Sequence, residues 1–272
     1  MPFLHLPGSP VAPGRSPLRV HLRERGAGPA VLLLHGGWGY EAYPFDGVMA
    51  ALAPRHRVIA PDRIGYGGSD RIPALPDGFH RLMAEETVLV LDALGIDAAS
   101  LWGHSDGAVI AAWVAILFPA RVRALVLEAT HFVAAKTSSL ELFRDGVSAP
   151  ERFGEEVVAA LARDHGPSWR EVVAMGGRAW LGIIERAQEE RRRGRPDLYD
   201  GRLGEVKAPT LLLHGRRDPR TEPGELDALR RALPGARLEL LDAGHGPHTS
   251  ATAAERCIAL GAELIERAGA SG

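Results

Sequence analysis

The 272-residue chain has very little cysteine, very little lysine and no long hydrophobic run, and each shortage removes a class of protein. Cys257 is the only cysteine, so no internal disulfide can form and no cysteine cluster can hold structural zinc or an iron–sulfur centre. That fits a reducing, cytoplasmic setting. Among the 32 basic residues only Lys136 and Lys207 are lysines, and 34 acidic residues leave a net charge of −2, too small to call for nucleic acid or an anionic membrane surface. The longest apolar run, Ala108 to Phe118, stops at Pro119, well short of the roughly 20 residues that span a bilayer. Met1 to Gly28 is rich in Pro, Gly and Arg and lacks the apolar segment of a signal peptide. Eleven histidines raise the question of metal, yet no H-E-x-x-H occurs, and His245 and His248 stand three apart in a Gly-Pro loop. Gly65-Tyr66-Gly67-Gly68 is not a G-x-G-x-x-G that opens a helix, so no dinucleotide cofactor is expected. The remaining partner is a small molecule.

What the chain does contain is alternation. Val31–Leu34, Arg57–Ala60, Ser100–Trp102, Ala124–Leu127, Thr210–Leu213 and Leu238–Leu241 are short apolar runs bounded by Gly, Pro or Asp, as strands buried on both faces should be. Helical periodicity lies between them, over Phe79–Leu94 and Ala253–Ala268 for example. The pattern predicts an α/β fold, a mainly parallel sheet with helices on both faces. From Ala134 to Gly204 no strand-like run occurs, only helical stretches over Phe153–Asp164 and Trp169–Arg193, the second expected to break near Gly176 and Gly177. We therefore expect a helical cap at 134–204 inserted between core segments 1–133 and 205–272. The mixed charges of Glu185 to Arg195, with Arg191, Arg192 and Arg193, read as a solvated helix face.

Gly103-His104-Ser105-Asp106-Gly107 is a G-x-S-x-G placed between a strand and a helix, the context a nucleophile elbow needs. A serine hydroxyl is a weak nucleophile at neutral pH, so a base must take its proton and a third group must orient that base. Asp218 follows the strand at Thr210–Leu213, and His245 follows the strand at Leu238–Leu241. The order Ser105, Asp218, His245, each in a loop after a strand, predicts a catalytic triad. His35-Gly36-Gly37-Trp38-Gly39 follows the strand at Val31–Leu34 and supplies backbone N–H groups for an oxyanion hole. We assign Gly37, with Trp38 as the alternative, and Asp106 as the second donor. Trp38, Tyr40, Tyr43 and His131 occupy positions expected to form pocket walls, His104 is read as packing beside the elbow, and His248 is a competing candidate for the base. As a base His245 must be neutral, and its unperturbed pKa of about 6.5 puts the loss of activity near pH 6 to 7.

These motifs, together with Asp62-Arg63-Ile64-Gly65-Tyr66-Gly67-Gly68-Ser69, resemble the α/β-hydrolase superfamily from about Val20 to Glu266. The resemblance implies loops gathered around one pocket under the cap, and a structural role for Asp62 and Arg63. A serine rather than an aspartate at the elbow separates the chain from the haloalkane dehalogenase and epoxide hydrolase branches, whose mechanisms need a carboxylate nucleophile. Ser105-Asp106-Gly107 is similar to the valacyclovir-hydrolase-like branch, which cleaves esters of amino acids. If Asp106 faces the pocket it would pair with a substrate ammonium; the competing reading is a carboxylate favoured at a helix N-terminus. The expectation is a serine esterase without cofactor or metal. The alternatives are a prolyl-aminopeptidase-like amide hydrolase, although Trp38 stands where that branch has proline, and a non-catalytic ligand receptor.

Overall fold

The computed structural model describes residues 3–190 and 197–270. Its single sheet combines β1 (Phe3–Leu6), β2 (Leu18–Arg25), β3 (Ala30–Leu34), β4 (Arg57–Pro61), β5 (Ala99–His104), β6 (Val122–Glu128), β7 (Thr210–Gly215) and β8 (Arg237–Leu241). The order across it is β1-β2-β4-β3-β5-β6-β7-β8. From β4 to β8 all neighbours are parallel, while β1 and β2 form an antiparallel edge. β1 and β2 lie inside the Pro- and Gly-rich N-terminal stretch, and the sequence reading missed both.

Side chains of a strand alternate between faces, and the core divides accordingly. Leu32, Leu34, Leu101, Leu125 and Leu127 face α2 (Phe79–Ala93) and α3 (Asp106–Leu117). Val31, Leu33, Trp102, Val126 and Leu213 face the other way, packed with residues of α1 (Asp46–Leu52) and α8 (Ala254–Ala270). Burial on both faces is why these strands read as unbroken apolar runs rather than as alternating ones. α3 is apolar all round and nearly all buried, which accounts for the Ala108–Phe118 run. No helix among the described residues is long and apolar enough to cross a membrane.

Between β6 and β7 the chain forms α4 (Leu140–Ser148), α5 (Glu155–His165) and α6 (Trp169–Glu190). α6 runs straight through Gly176 and Gly177, where a break was expected. The reason is tertiary: a Cβ on Gly177 would lie 2.8 Å from the carbonyl oxygen of Phe143 on α4. That glycine lets two helices approach closely, and the packing offsets its poor helix propensity. Glu185 is exposed, but Arg191, Arg192 and Arg193 lie outside the described residues. α7 (Glu225–Ala232) follows β7.

Candidate active site

β5 ends at His104 and α3 starts at Asp106, leaving Ser105 as the single residue of the turn. Its φ of 56° and ψ of −122° are strained for a residue with a side chain. The turn fits only because its flanks are glycines: a Cβ on Gly103 would meet the Gly107 carbonyl at 2.2 Å, and one on Gly107 the Leu34 carbonyl at 2.0 Å. The Ser105 N–H donates to the Glu128 carbonyl across the β5–β6 edge at 2.9 Å. Thus both neighbouring strands and the helix fix the direction of the hydroxyl.

Ser105 Oγ lies 2.9 Å from His245 Nε2, and His245 Nδ1 lies 2.8 Å from Asp218 Oδ2. The carboxylate can only accept, so Nδ1 carries the proton and Nε2 is free to accept from the serine. Asp218 Oδ1 accepts the Arg220 N–H at 2.9 Å, and His214 Nε2 lies 3.4 Å from Oδ2. Burial pushes the Asp218 carboxyl up, but the His245 hydrogen bond and charge outweigh it and hold the group well below the usual carboxylate range. Burial, and next the Arg220 charge, lower His245 to about 4, against the pull of Asp218. His245 is therefore neutral at lower pH than the unperturbed value predicts, because the sequence does not reveal that the ring is buried.

The competing histidine is engaged elsewhere. The backbone N–H and Nδ1 of His248 both bond Glu128 Oε1, at 2.9 and 2.7 Å, while Trp102 Nε1 donates to Glu128 Oε2 at 2.9 Å. Burial would raise Glu128, but the His248 charge dominates and takes it down to about 2. Sequence reading did not single out this carboxylate; its signal was an acid closing an apolar strand. His104 Nε2 donates to the His245 carbonyl at 2.9 Å, and burial lowers this ring to about 3. Both rings thus brace the loop that carries His245.

The loop after β3 is held from two sides. Arg63 Nη2 and His35 Nδ1 donate to the Gly36 carbonyl at 2.7 and 2.8 Å, and the Arg63 N–H donates to His35 Nε2 at 3.1 Å. From α5, His165 Nε2 donates to the Trp38 carbonyl at 3.0 Å and accepts the Gly67 N–H at Nδ1, also at 3.0 Å. Asp62 Oδ2 accepts the Gly68 N–H at 2.8 Å and lies 2.8 Å from His21 Nδ1. Among the described residues no protein acceptor takes the N–H of Gly37, Trp38 or Asp106.

One pocket brings Gly37, Trp38, Tyr43, Ser105, Asp106 and His131 together, closed on the far side by Phe143 and Trp180 of the inserted helices. Tyr40 is not part of it: it packs in the core against Phe45, and its hydroxyl donates to Asp46 at 3.1 Å. The Asp106 side chain turns inward, where Oδ1 accepts from Trp180 Nε1 at 3.0 Å and lies 3.3 Å from His80 Nε2. Burial would raise Asp106, but the hydrogen bond and charge of His80 outweigh it and the group stays low. His131 comes closer than a pocket wall need be. Its Nε2 is 3.4 Å from Ser105 Oγ, its ring lies parallel to His245 at 5.6 Å, and burial lowers it well below the usual histidine range. Arg220, which sequence reading passed over, also lines the pocket, with its guanidinium 4.6 Å from the Trp38 ring centroid.

Residues 29–184 match the family described as alpha/beta hydrolase fold. A 112-residue stretch, 40% of this chain, is 44% identical to 2-hydroxymuconate semialdehyde hydrolase of Pseudomonas sp. (strain CF600), and spans only 39% of that relative's length. Pimeloyl-[acyl-carrier protein] methyl ester esterase of Nitrosomonas europaea is 29% identical over 259 residues, 85% of this chain and 94% of the relative. Among solved structures, a thermophilic esterase from Thermogutta terrifontis superimposes with a TM-score of 0.73 at 24% identity, covering 99% of this chain and 100% of that one, a likeness of fold.

Proposed function

The chain belongs to the α/β-hydrolase fold family, and from that premise we propose that it is a hydrolase, a serine esterase that cleaves small carboxylic esters through an acyl-enzyme. The observation that carries the reading is the continuous chain Ser105 Oγ, His245 Nε2, His245 Nδ1, Asp218 Oδ2, with links of 2.9 and 2.8 Å, whose serine lines the pocket. The serine at position 105 favours an ester over substrates that need a carboxylate nucleophile. The pimeloyl-[acyl-carrier protein] methyl ester esterase among the relatives supports the same reaction class.

In this reading Ser105 Oγ attacks the ester carbonyl carbon while its proton passes to His245 Nε2. Asp218 keeps the Nδ1 proton in place and stabilises the imidazolium that forms. The carbonyl oxygen becomes an oxyanion that accepts from the N–H groups of Gly37 and Asp106, the first held by the braced Gly36 turn, the second at the start of α3. Collapse breaks the carbon–alkoxy bond, and the alcohol leaves with the proton from His245. Water then donates a proton to His245 and adds to the acyl carbon. Release of the acid returns the proton to Ser105 Oγ. Residues 134–204 act as a cap that excludes bulk water and shapes the acyl and alcohol subsites, over core segments 1–133 and 205–272.

The test uses a fluorophosphonate probe and short-chain 4-nitrophenyl esters. We expect the native protein to be labelled at Ser105 and to hydrolyse the esters, and Ser105→Ala to lose both, with kcat down by at least about a thousandfold. A proline anilide turned over faster than the esters would transfer the assignment to amide hydrolysis, and a native protein that takes no label would make it a ligand receptor.

A further inference from the structure

Two charged side chains line the pocket, and they differ in how far the protein itself satisfies them. Asp106 has Trp180 and His80 on one oxygen. Arg63, buried behind the same loop, spends its guanidinium on the Gly36 carbonyl and Met83 sulfur. Arg220 is the exception. Its backbone is fixed at both ends, the N–H on Asp218 Oδ1 at 2.9 Å and the carbonyl on Lys136 Nζ at 2.6 Å. Its guanidinium has no hydrogen bond and no ion pair among the described residues; it rests on the face of Trp38.

The neighbouring carboxylates are already committed. Asp218 bonds His245, and Glu222 takes Thr137 Oγ1 and the Ser138 N–H at 2.8 and 2.6 Å. A half-buried guanidinium, held over an aromatic ring in the pocket that contains the nucleophile, presents a rigid fork of donors with no internal acceptor. Resting on the esterase reading above, we propose that Arg220 determines specificity by binding a carboxylate carried by the substrate, so that the natural substrate is an anionic ester. The charge is felt at the site, since Arg220 contributes to the lowering of both His245 and His131. It explains how a chain of almost zero net charge selects an ion, with one local cation instead of a broad field. The carboxylate can belong to the acyl or the alcohol half, and the two halves are separable by experiment.

Two matched ester pairs test this: 4-nitrophenyl hydrogen succinate against 4-nitrophenyl butyrate, with the anion on the acyl side, and 4-acetoxybenzoate against phenyl acetate, with the anion on the alcohol side. In the native enzyme the anionic member of at least one pair should have the higher kcat/KM. In Arg220→Gln that anionic-to-neutral ratio should fall about tenfold to a hundredfold, through KM more than kcat, the size of a lost charge-assisted hydrogen bond. Arg220→Lys should recover part of it, and salt should erode the native preference. The pair that responds names the half that carries the charge. A binding readout needs no turnover: succinate and benzoate should raise the Tm of the native protein and protect Ser105 from the fluorophosphonate, and should do neither in Arg220→Gln. Removing Arg220 should also move the acidic limb of the rate profile up, among the other groups around His245, namely Asp218, His104, His131 and His214. Equal ratios in native and Arg220→Gln enzyme, with equal Tm responses to the anions, would overturn the proposal while leaving the esterase assignment intact. Loss of Ser105 labelling would instead strike the esterase reading itself.

Discussion

At the scale of single residues the proposed esterase activity turns on the protonation of one imidazole. Nδ1 of His245 is tied to a carboxylate held ionised, and burial and Arg220 lower the ring to about 4. In the proposed mechanism the neutral form is the base, so activity should be present above that pKa and lost as pH falls through it. The pH dependence of kcat/KM should therefore show its acidic limb near pH 4, well below the unperturbed value, as long as circular dichroism shows the fold intact. A limb at pH 6.5 would mean that Arg220 and burial do not act on His245 as the geometry implies. Asp106 illustrates the same dependence on surroundings. It occupies the first turn of α3, as the helix-dipole reading expects, and it also faces the pocket, but His80 and Trp180 already bond one of its oxygens. Arg220 therefore holds the less satisfied charge in that pocket.

At the scale of elements the question is what fastens the inserted helices to the sheet. Lys136, one of two lysines in the chain, is buried with its Nζ 2.6 Å from Glu225 Oε2 at the start of α7. Glu225 Oε1 also accepts the N–H groups of Phe132 and Val133, and Oε2 that of Glu222, at 2.8, 2.9 and 2.8 Å. This cluster fastens the start of the insertion to the loop that carries Asp218 and Arg220. Removing one partner of a buried pair leaves the other charge uncompensated, so Lys136→Met should destabilise the fold by about 3–5 kcal/mol in urea unfolding. The double variant Lys136→Met with Glu225→Gln should recover part of the loss, since the remaining group is then neutral. A Lys136→Met change costing under about 1 kcal/mol would show that the pair is not the fastening we take it to be.

At the scale of the whole molecule the histidines set an acid limit. His35 and His104 are lowered to about 3, His165 and His245 to about 4, and His131 and His214 are also lowered, in each case first by burial. The unfolded chain binds protons at these sites near pH 6.5, whereas the folded chain does not until lower pH. Their contribution to stability is complete above about pH 6.5 and declines as pH falls from there through the folded values, by up to about 1.4 kcal/mol per pH unit for each group. Asp164, pushed up to about 6 by burial first and by Asp62 second, works in the opposite sense between 6 and its unfolded value. Glu86, also raised first by burial, acts in the same sense as Asp164, and two groups do not offset six, so the Tm should fall steadily between pH 7 and pH 5. A Tm that is level over that interval would contradict the protonation states assigned here.

The parallel strands, the elbow at Ser105 and the order of Asp218 and His245 were legible from sequence because they depend on local chemistry. Buried strands need apolar runs, a strained turn needs flanking glycines, and loops after strands share one edge of the sheet. The strands β1 and β2 were not legible, since Pro and Gly around them mask a pairing that only the sheet edge supplies. The continuity of α6 through Gly176 and Gly177 was equally hidden, because the packing against α4 overrides helix propensity. The pairing of His248 with Glu128, the shift of His245 and the unsatisfied charge of Arg220 join residues far apart in the chain or depend on burial. The sequence by itself determined which reactive groups are present and the order in which the strands deliver them. Only the tertiary structure decided which of those groups are neutral, which are already bonded and which line the pocket, because hydrogen bonding and desolvation arise from neighbours that the chain brings together by folding.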